Sequence, residues 1–225
     1  MSILDELKAE SYRIGDLQAL PYDRNNPIFG EMYLPDLYLG LGAGRRTKFS
    51  RNNLRMLFCG FNDLSLPAIV SYLAQQKLVI LGKWEGNLLR TGGVCWATAI
   101  MGTKEKSAFG GYGFLRWIWG TEEQFLLGIL GLSYMFQELD LVQLHGQRYA
   151  SNHLTANFMA RFGFRDVGTV PKLIQWDDHL EDGVISTVER SVFESVVIRE
   201  VLEASRDNGQ DDRRDYLQSH QSDKR

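Results

Sequence analysis

Cysteine is scarce in this 225-residue chain: only Cys59 and Cys95 occur, each inside an apolar stretch (LFCGF and GVCWA). That count excludes a disulfide-stapled scaffold and reads as buried free thiols. Histidine is thin as well, at His145, His153, His179 and His220. No Cys/His cluster has metal-ligand spacing, so no metal site is expected. Long hydrophobic runs are missing. The richest, FLLGILGLSYMF, has 12 residues, against about 20 for a bilayer span, so no membrane partner is expected. Charge of one sign is missing too: the net charge of -3 gives no global pull toward nucleic acid or an anionic surface. The start, MSILDELKAE, is acidic and amphipathic rather than a signal peptide. Together these features imply a cytoplasmic, reducing setting.

Apolar residues make up 44% and charged residues 24% of the chain, enough for a packed core. Residues 1–50 show turn residues (PYDRNNPIFG, GLGAG) without strong periodicity and read as an N-terminal extension. GLGAG lacks the spacing of a phosphate loop and reads as a flexible turn. Arg45, Arg46, Lys48, Arg51 and Arg55 form a basic run without an acid, read as a solvated face with nucleic acid or phosphates as the competing partners. A first strand is expected over Leu54–Cys59, then a helix in SLPAIVSYLAQQ.

Three β-rich runs follow, Lys77–Leu89, Gly92–Gly102 and Ser107–Gly120, separated by turn-forming RTGG and GTKEK, as in an antiparallel meander. Gly110, Gly111 and Gly113 inside the third run imply a bulge or close approach of another group. Trp84, Trp96, Trp117 and Trp119 lie in these runs, either packing in the core or lining an acceptor pocket. Thr121 with Gln124 forms a capping box opening a helix to Leu139 that is apolar nearly all round, hence buried. LVQLHGQRYA (141–150) is a strand. In it Gln143, His145 and Gln147 share one face and Leu144 takes the other.

NHLTANFMARFGFRDVG (152–168) then reads as a helix. Ser151 or Asn152 can cap it, Leu154, Phe158 and Phe162 form an apolar stripe, Gly163 suits a left-handed C-terminal residue, and Phe164 packs back on Met159. Two strands, VGTVPKLIQW and VISTVERSVF, flank DDHLEDG, and ESVVIREVLEAS is helical. From Ser205 the chain is polar and reads as a disordered tail. The result is one α/β (α+β) domain, 51–204, with a mixed, mostly antiparallel sheet and helices on both faces.

The helix end YMFQELDL, the strand after it and the N-x-x-T…GF…G pattern resemble the GNAT superfamily of N-acetyltransferases, closest to its ribosomal-protein N-acetyltransferase-like branch. The matching residues are Tyr134, Phe136, Glu138, Leu139 and Leu141, then Asn152, Thr155, Gly163, Phe164 and Gly168. The resemblance spans about residues 54–195. It implies acetyl-CoA bound in a V-shaped split between two parallel strands, the third β-rich run and 141–150. A turn at the start of the following helix would cradle the pyrophosphate. The cofactor-binding residues implied are Trp117, Ile118, Trp119, Gly120, Thr121, Asn152, Thr155 and Phe158.

Three positions depart from the pattern. The Arg/Gln-x-x-Gly-x-Gly/Ala turn is here Trp119-Gly120-Thr121-Glu122-Glu123-Gln124, with two carboxylates that compete with a bound phosphate. Met159 stands where many members carry a tyrosine acid. No Asp or Glu lies in Ser107–Trp119 to act as base. Candidate catalytic groups are therefore His145, Tyr149, Thr155 and, more remotely, Glu85, with Tyr112 a further group for binding or proton transfer. A solvent-facing imidazole competes for His145, a first-turn backbone cap for Thr155 and a solvated strand position for Glu85. The function implied is acetyl transfer from acetyl-CoA to a primary amine, on a protein or small molecule, by direct attack. The alternative is a GNAT-fold protein with lost or altered cofactor use, acting as a binding module or a Mom-like nucleic-acid-modifying enzyme. A homodimer stays open.

Overall fold

The protein is described from a computed structural model covering residues 3–41, 63–175 and 179–207. The meander expected from the sequence is present as β3 (Lys77–Glu85), β4 (Leu88–Met101) and β5 (Lys106–Phe114). Its Leu78-Val79-Ile80-Leu81 run is buried on both sides, as a strand between two helical layers must be. Val79 and Leu81 join Cys95 and Ala97 in one core; Leu78 and Ile80 join Val94 and Trp96 in the other. Alternation along single strands thus serves two cores.

The first core lies under α1 (Ile3–Ala9), α4 (Glu122–Glu138) and α6 (Arg190–Asp207). A side chain added at Gly131 of α4 would come within 3.1 Å of both Cys95 and Leu81, so this glycine sets how closely the helix seats on the sheet. The second core lies under a π-helical turn, Phe29–Tyr33, with α2 (Leu34–Gly40) and α3 (Leu66–Leu73). Gly111 faces this side, where an added side chain would sit 2.3 Å from the Trp96 indole. The close approach that the glycine-rich third run implied is thus, at this position, an indole.

The eight-stranded sheet has the order β1-β2-β3-β4-β5-β6-β8-β7, with β1 (Arg13–Ile14), β2 (Leu17–Pro21), β6 (Leu141–Tyr149), β7 (Arg165–Gln175) and β8 (Leu180–Glu189). Every neighbouring pair is antiparallel except β5 and β6. β8 lies between β6 and β7, which leaves β7 as an edge. Register shifts between Asp166/Gly168 and Val170/Ile174 blunt that edge against further pairing.

Several stretches differ from the sequence reading: the third run ends as a strand at Phe114 and Arg116–Ile118 form a 3-10 helix, and α6 runs on to Asp207, past the expected tail start at Ser205. Within residues 1–50, residues 3–41 build α1, β1, β2, the π-helical turn and α2, and place Leu4, Leu7, Leu17, Ala19, Phe29, Leu34 and Leu37 in the cores. These elements have two to seven residues each, too short for a periodic signal. Near the other end, the helix begins at Arg190, inside the stretch read as strand up to Phe193. Phe193 is buried and stacks on Phe136 at 5.2 Å. The strand expected over Leu54–Cys59, the rest of GLGAG beyond Leu41, the basic run at 45–55 and the tail from 208 onward lie outside the described residues.

Candidate active site in the strand split

The parallel pair does not run its full length. β5 and β6 pair from Lys106↔Leu141 to Phe109↔His145, and no further partners follow. Each strand stays bonded on its other side, β5 to β4 through Phe114↔Gly93 and β6 to β8 through Tyr149↔Gly183. The sheet is therefore split between Gly110–Phe114 and Gly146–Tyr149. Helix α5 (His153–Arg161) covers one face of the split: Phe158 packs on Tyr112 and on Phe114, each at 5.5 Å. A side chain added at Gly146 would come within 2.5 Å of the Met159 methyl. Phe162 continues the contact to α4, stacking on Phe125 at 4.7 Å.

His145 stands at the last paired position, where the strands part. Its ring lies 5.2 Å from Phe109, on the face opposite Leu144. Partial burial lowers its pKa below the ordinary imidazole value, so it is a neutral base near neutral pH.

Three residues beyond Phe109 and His145 stand Tyr112 and Arg148, one on each arm, turned to the α5 face. The Tyr112 hydroxyl oxygen is buried and has no hydrogen-bond partner among the described residues. Burial pushes its phenol well above the ordinary value, a buried Cys95 adds to this, and the Arg148 guanidinium partly opposes it. The Arg148 side chain is 8% exposed. One terminal nitrogen donates to Asp166 at 2.6 Å and the other to the Tyr149 carbonyl at 3.1 Å. Asp166 is anchored by the Ser186 hydroxyl at 2.6 Å. The Arg148 Nε is buried without a partner among the described residues. The sequence reading did not single out Arg148, although strand parity already set it on the face of buried Leu144.

The α5 caps form as the sequence implies. Asn152, not Ser151, is the N-cap and accepts the Thr155 amide at 3.0 Å. Gly163 has φ +85°, and the Phe164 amide reaches the Met159 carbonyl at 3.3 Å, closing a Schellman-type end. Thr155 is half-buried in the first turn; its amide is the group being capped, while its hydroxyl is not the cap. Leu154 corrects the expected stripe: it is 82% exposed. Met159 takes its place beside Phe158 and Phe162.

The turn before α4 is closed on itself. The Gly120 amide donates to Gln124 Oε1 at 2.8 Å and the Gln124 amide to Thr121 Oγ1 at 3.1 Å. Trp119 is 45% exposed, with its indole N–H on the Phe114 carbonyl at 2.8 Å. The two glutamates are drawn to either side. Glu122 meets Arg161 of α5 at 3.1 Å, and Glu123 meets Lys83 of β3 at 2.5 Å. Of the other expected residues, Ile118 is in the core and Trp117 is held by its indole on the Thr91 carbonyl. Tyr149 is buried at the end of β6. Glu85 is at the β3–β4 hairpin, paired with Arg90 at 3.1 Å, and is not brought to the split. Among the described residues no acidic, cysteine and histidine group could hold a metal, and no helix is long and apolar enough to cross a membrane.

No protein-family model and no curated protein matches the chain. Solved structures do. Spermidine N-acetyltransferase from Vibrio cholerae, in complex with CoA and spermine, superposes with a TM-score of 0.61 at 12% identity, over 79% of this chain and 98% of that one. Mycobacterium smegmatis RimJ in complex with CoA-disulfide gives 0.58 at 13%, over 82% and 88%. A probable GNAT-family acetyltransferase from Chromobacterium violaceum gives 0.60 at 17%, over 81% and 87%. With one parallel pair opening in an otherwise antiparallel sheet, and with agreement over most of each chain's length, this protein has the GNAT fold.

Proposed function

We propose that the protein transfers an acetyl group from acetyl-CoA to a primary amine of a protein N-terminus, a lysine or a small molecule. The observation carrying this reading is the split that opens after Phe109 and His145, in a fold shared with solved structures that hold CoA. The residues of the split suit a thioester-bearing arm: α5 roofs it with Phe158 and Met159, and each arm carries a buried donor, the Tyr112 hydroxyl and the Arg148 Nε, with no partner among the described residues.

Acetyl-CoA would supply an acyl carbon activated by a thiol leaving group. His145 accepts the proton lost by the attacking amine, because its burial keeps the imidazole neutral. Asn152 holds the first turn of α5 by accepting the Thr155 amide, and the Thr155 hydroxyl is assigned to the CoA sulfur end. Trp119, Gly120 and Thr121 form the turn expected to meet the phosphates. The Cys95 thiol, pushed up to about 12 by burial, stays protonated and is no nucleophile, consistent with direct attack rather than a covalent enzyme intermediate.

Thermal unfolding with added acetyl-CoA tests the reading. The midpoint rises as ligand exceeds its Kd, by an amount equivalent to about 2.7 kcal/mol at a hundredfold excess. No rise at millimolar acetyl-CoA overturns it. The internally bonded turn and the Glu122–Arg161 pair favour a second reading, a GNAT-fold protein with altered cofactor use. That reading gains if duplex DNA or another ligand raises the midpoint where acetyl-CoA does not.

A further inference from the structure

We infer that Tyr112 and Arg148 form a two-donor seat for the thioester carbonyl oxygen of acetyl-CoA, one donor from each arm of the split. The inference rests on the acetyl-CoA reading and adds to it residues, one on each strand, that the resemblance did not supply.

Register carries the first part. Phe109 and His145 are the last partners; stepping three residues along each parallel strand brings Tyr112 opposite Arg148. An odd step reverses the face, so both side chains leave the His145 side and turn toward α5. Phe158 confirms the side for Tyr112, at 5.5 Å. Met159 beside Gly146 confirms it for the arm that carries Arg148.

Satisfaction carries the second part. Buried polar atoms in native proteins nearly always have a partner. The Tyr112 hydroxyl and the Arg148 Nε are both buried without one among the described residues. They are not loose: Asp166, the Tyr149 carbonyl and the Ala150 carbonyl occupy the terminal nitrogens of Arg148 at 2.6, 3.1 and 3.5 Å. Phe114 and Phe158 hold the Tyr112 ring. What is left is two fixed donor groups, the phenol O–H and the Nε–H, with no acceptor for either among the described residues. Arginine offers only donors, and a phenol this deeply buried keeps its proton. The group that completes them is an acceptor oxygen, and the thioester carbonyl is the one that the proposed substrate brings into the split. Donors preset around that oxygen gain strength as charge builds on it during attack from the His145 side.

Tyr112→Phe separates the possibilities because it keeps the ring and its packing. Calorimetric titration of the full chain with acetyl-CoA and with free CoA gives two affinities. The expected result is an acetyl-CoA Kd weakened about fivefold to tenfold, as for one lost hydrogen bond, with the CoA Kd within about twofold of wild type. The midpoint of ligand-free Tyr112→Phe is unchanged or raised, because an unpartnered buried hydroxyl has been removed. Carbonyl-labelled acetyl-CoA gives a second readout. Its infrared stretch shifts to lower frequency on binding wild type, and the shift shrinks in Tyr112→Phe and in Arg148→Lys. Equal affinities for both ligands in Tyr112→Phe and wild type, or no infrared shift on binding wild type, overturn the seat and leave acetyl-CoA binding intact. Failure of wild type to bind acetyl-CoA overturns the proposed function itself.

Discussion

The split and the turn before α4 are the two places where the proposed acetyl-CoA would meet this protein, and they are built in opposite ways. In the split, strand pairing stops and two buried donor groups, the Tyr112 hydroxyl and the Arg148 Nε, are left without acceptors among the described residues. In the turn, donors and acceptors are matched internally, Gly120 with Gln124 and Gln124 with Thr121, and the flanking acids are matched with Arg161 and Lys83. Unsatisfied buried groups favour a ligand strongly because leaving them unpaired is costly; satisfied exposed groups favour one weakly because something must first be displaced. For the proposed acetyl-CoA, this contrast predicts stronger determinants at the acyl end and weaker ones at the phosphate end.

The largest expected effect comes from removing what holds the split's roof. Phe162→Ala empties the buried stack against Phe125 and should cost about 3–5 kcal/mol in chemical denaturation. A cost below about 1 kcal/mol would mean that α5 does not depend on this contact. Next is His145→Gln, expected to lower kcat about a hundredfold or more with a primary amine such as spermidine or an alanyl peptide. With His145 as the proposed base, kcat/KM should climb with pH through a pKa below the ordinary histidine value. His145→Gln should lose that limb; an unchanged profile removes His145 from the mechanism. The same lowered pKa contributes stability that is present above the ordinary histidine value and is lost as pH falls through the folded one.

Smaller effects test the turn. Thr121→Ala removes the acceptor for the Gln124 amide and should cost about 1 kcal/mol, read as a lower denaturant midpoint. Glu122→Gln should change stability by less than about 0.5 kcal/mol, since the pair with Arg161 is exposed. It should nevertheless tighten acetyl-CoA severalfold by freeing Arg161 and removing a negative charge from the helix start. Weaker binding in Glu122→Gln would reverse the comparison, making the turn's acid a part of the site.

Much of this was legible from residues a few positions apart. The Thr121–Gln124 box, the Asn152 cap and the Gly163 terminus are local, and each forms where its pattern stands. The meander was readable from turns and apolar runs. The N-terminal segment was not, because its elements are short and acquire their apolar faces only by packing on others. Leu154 misled for the opposite reason: its spacing fits the stripe, but it stands exposed while Phe158, Met159 and Phe162 pack into the core. The site was half legible. His145 and Tyr112 could be picked out by residue type, whereas Arg148 looked like an ordinary strand cation until β7 and β8 brought Asp166 and Ser186 to it.

The sequence alone determined the meander strands, the caps of α4 and α5, and the strand period that sends Val79 and Leu81 one way and Leu78 and Ile80 the other. These depend on backbone preferences and side-chain period, which act within a few residues. Only the tertiary structure decided where β5 and β6 part, that Tyr112 stands opposite Arg148, and that Glu122 and Glu123 turn away to Arg161 and Lys83. Each of these depends on strands and helices distant in sequence competing for the same partners, and no local pattern encodes the outcome of that competition.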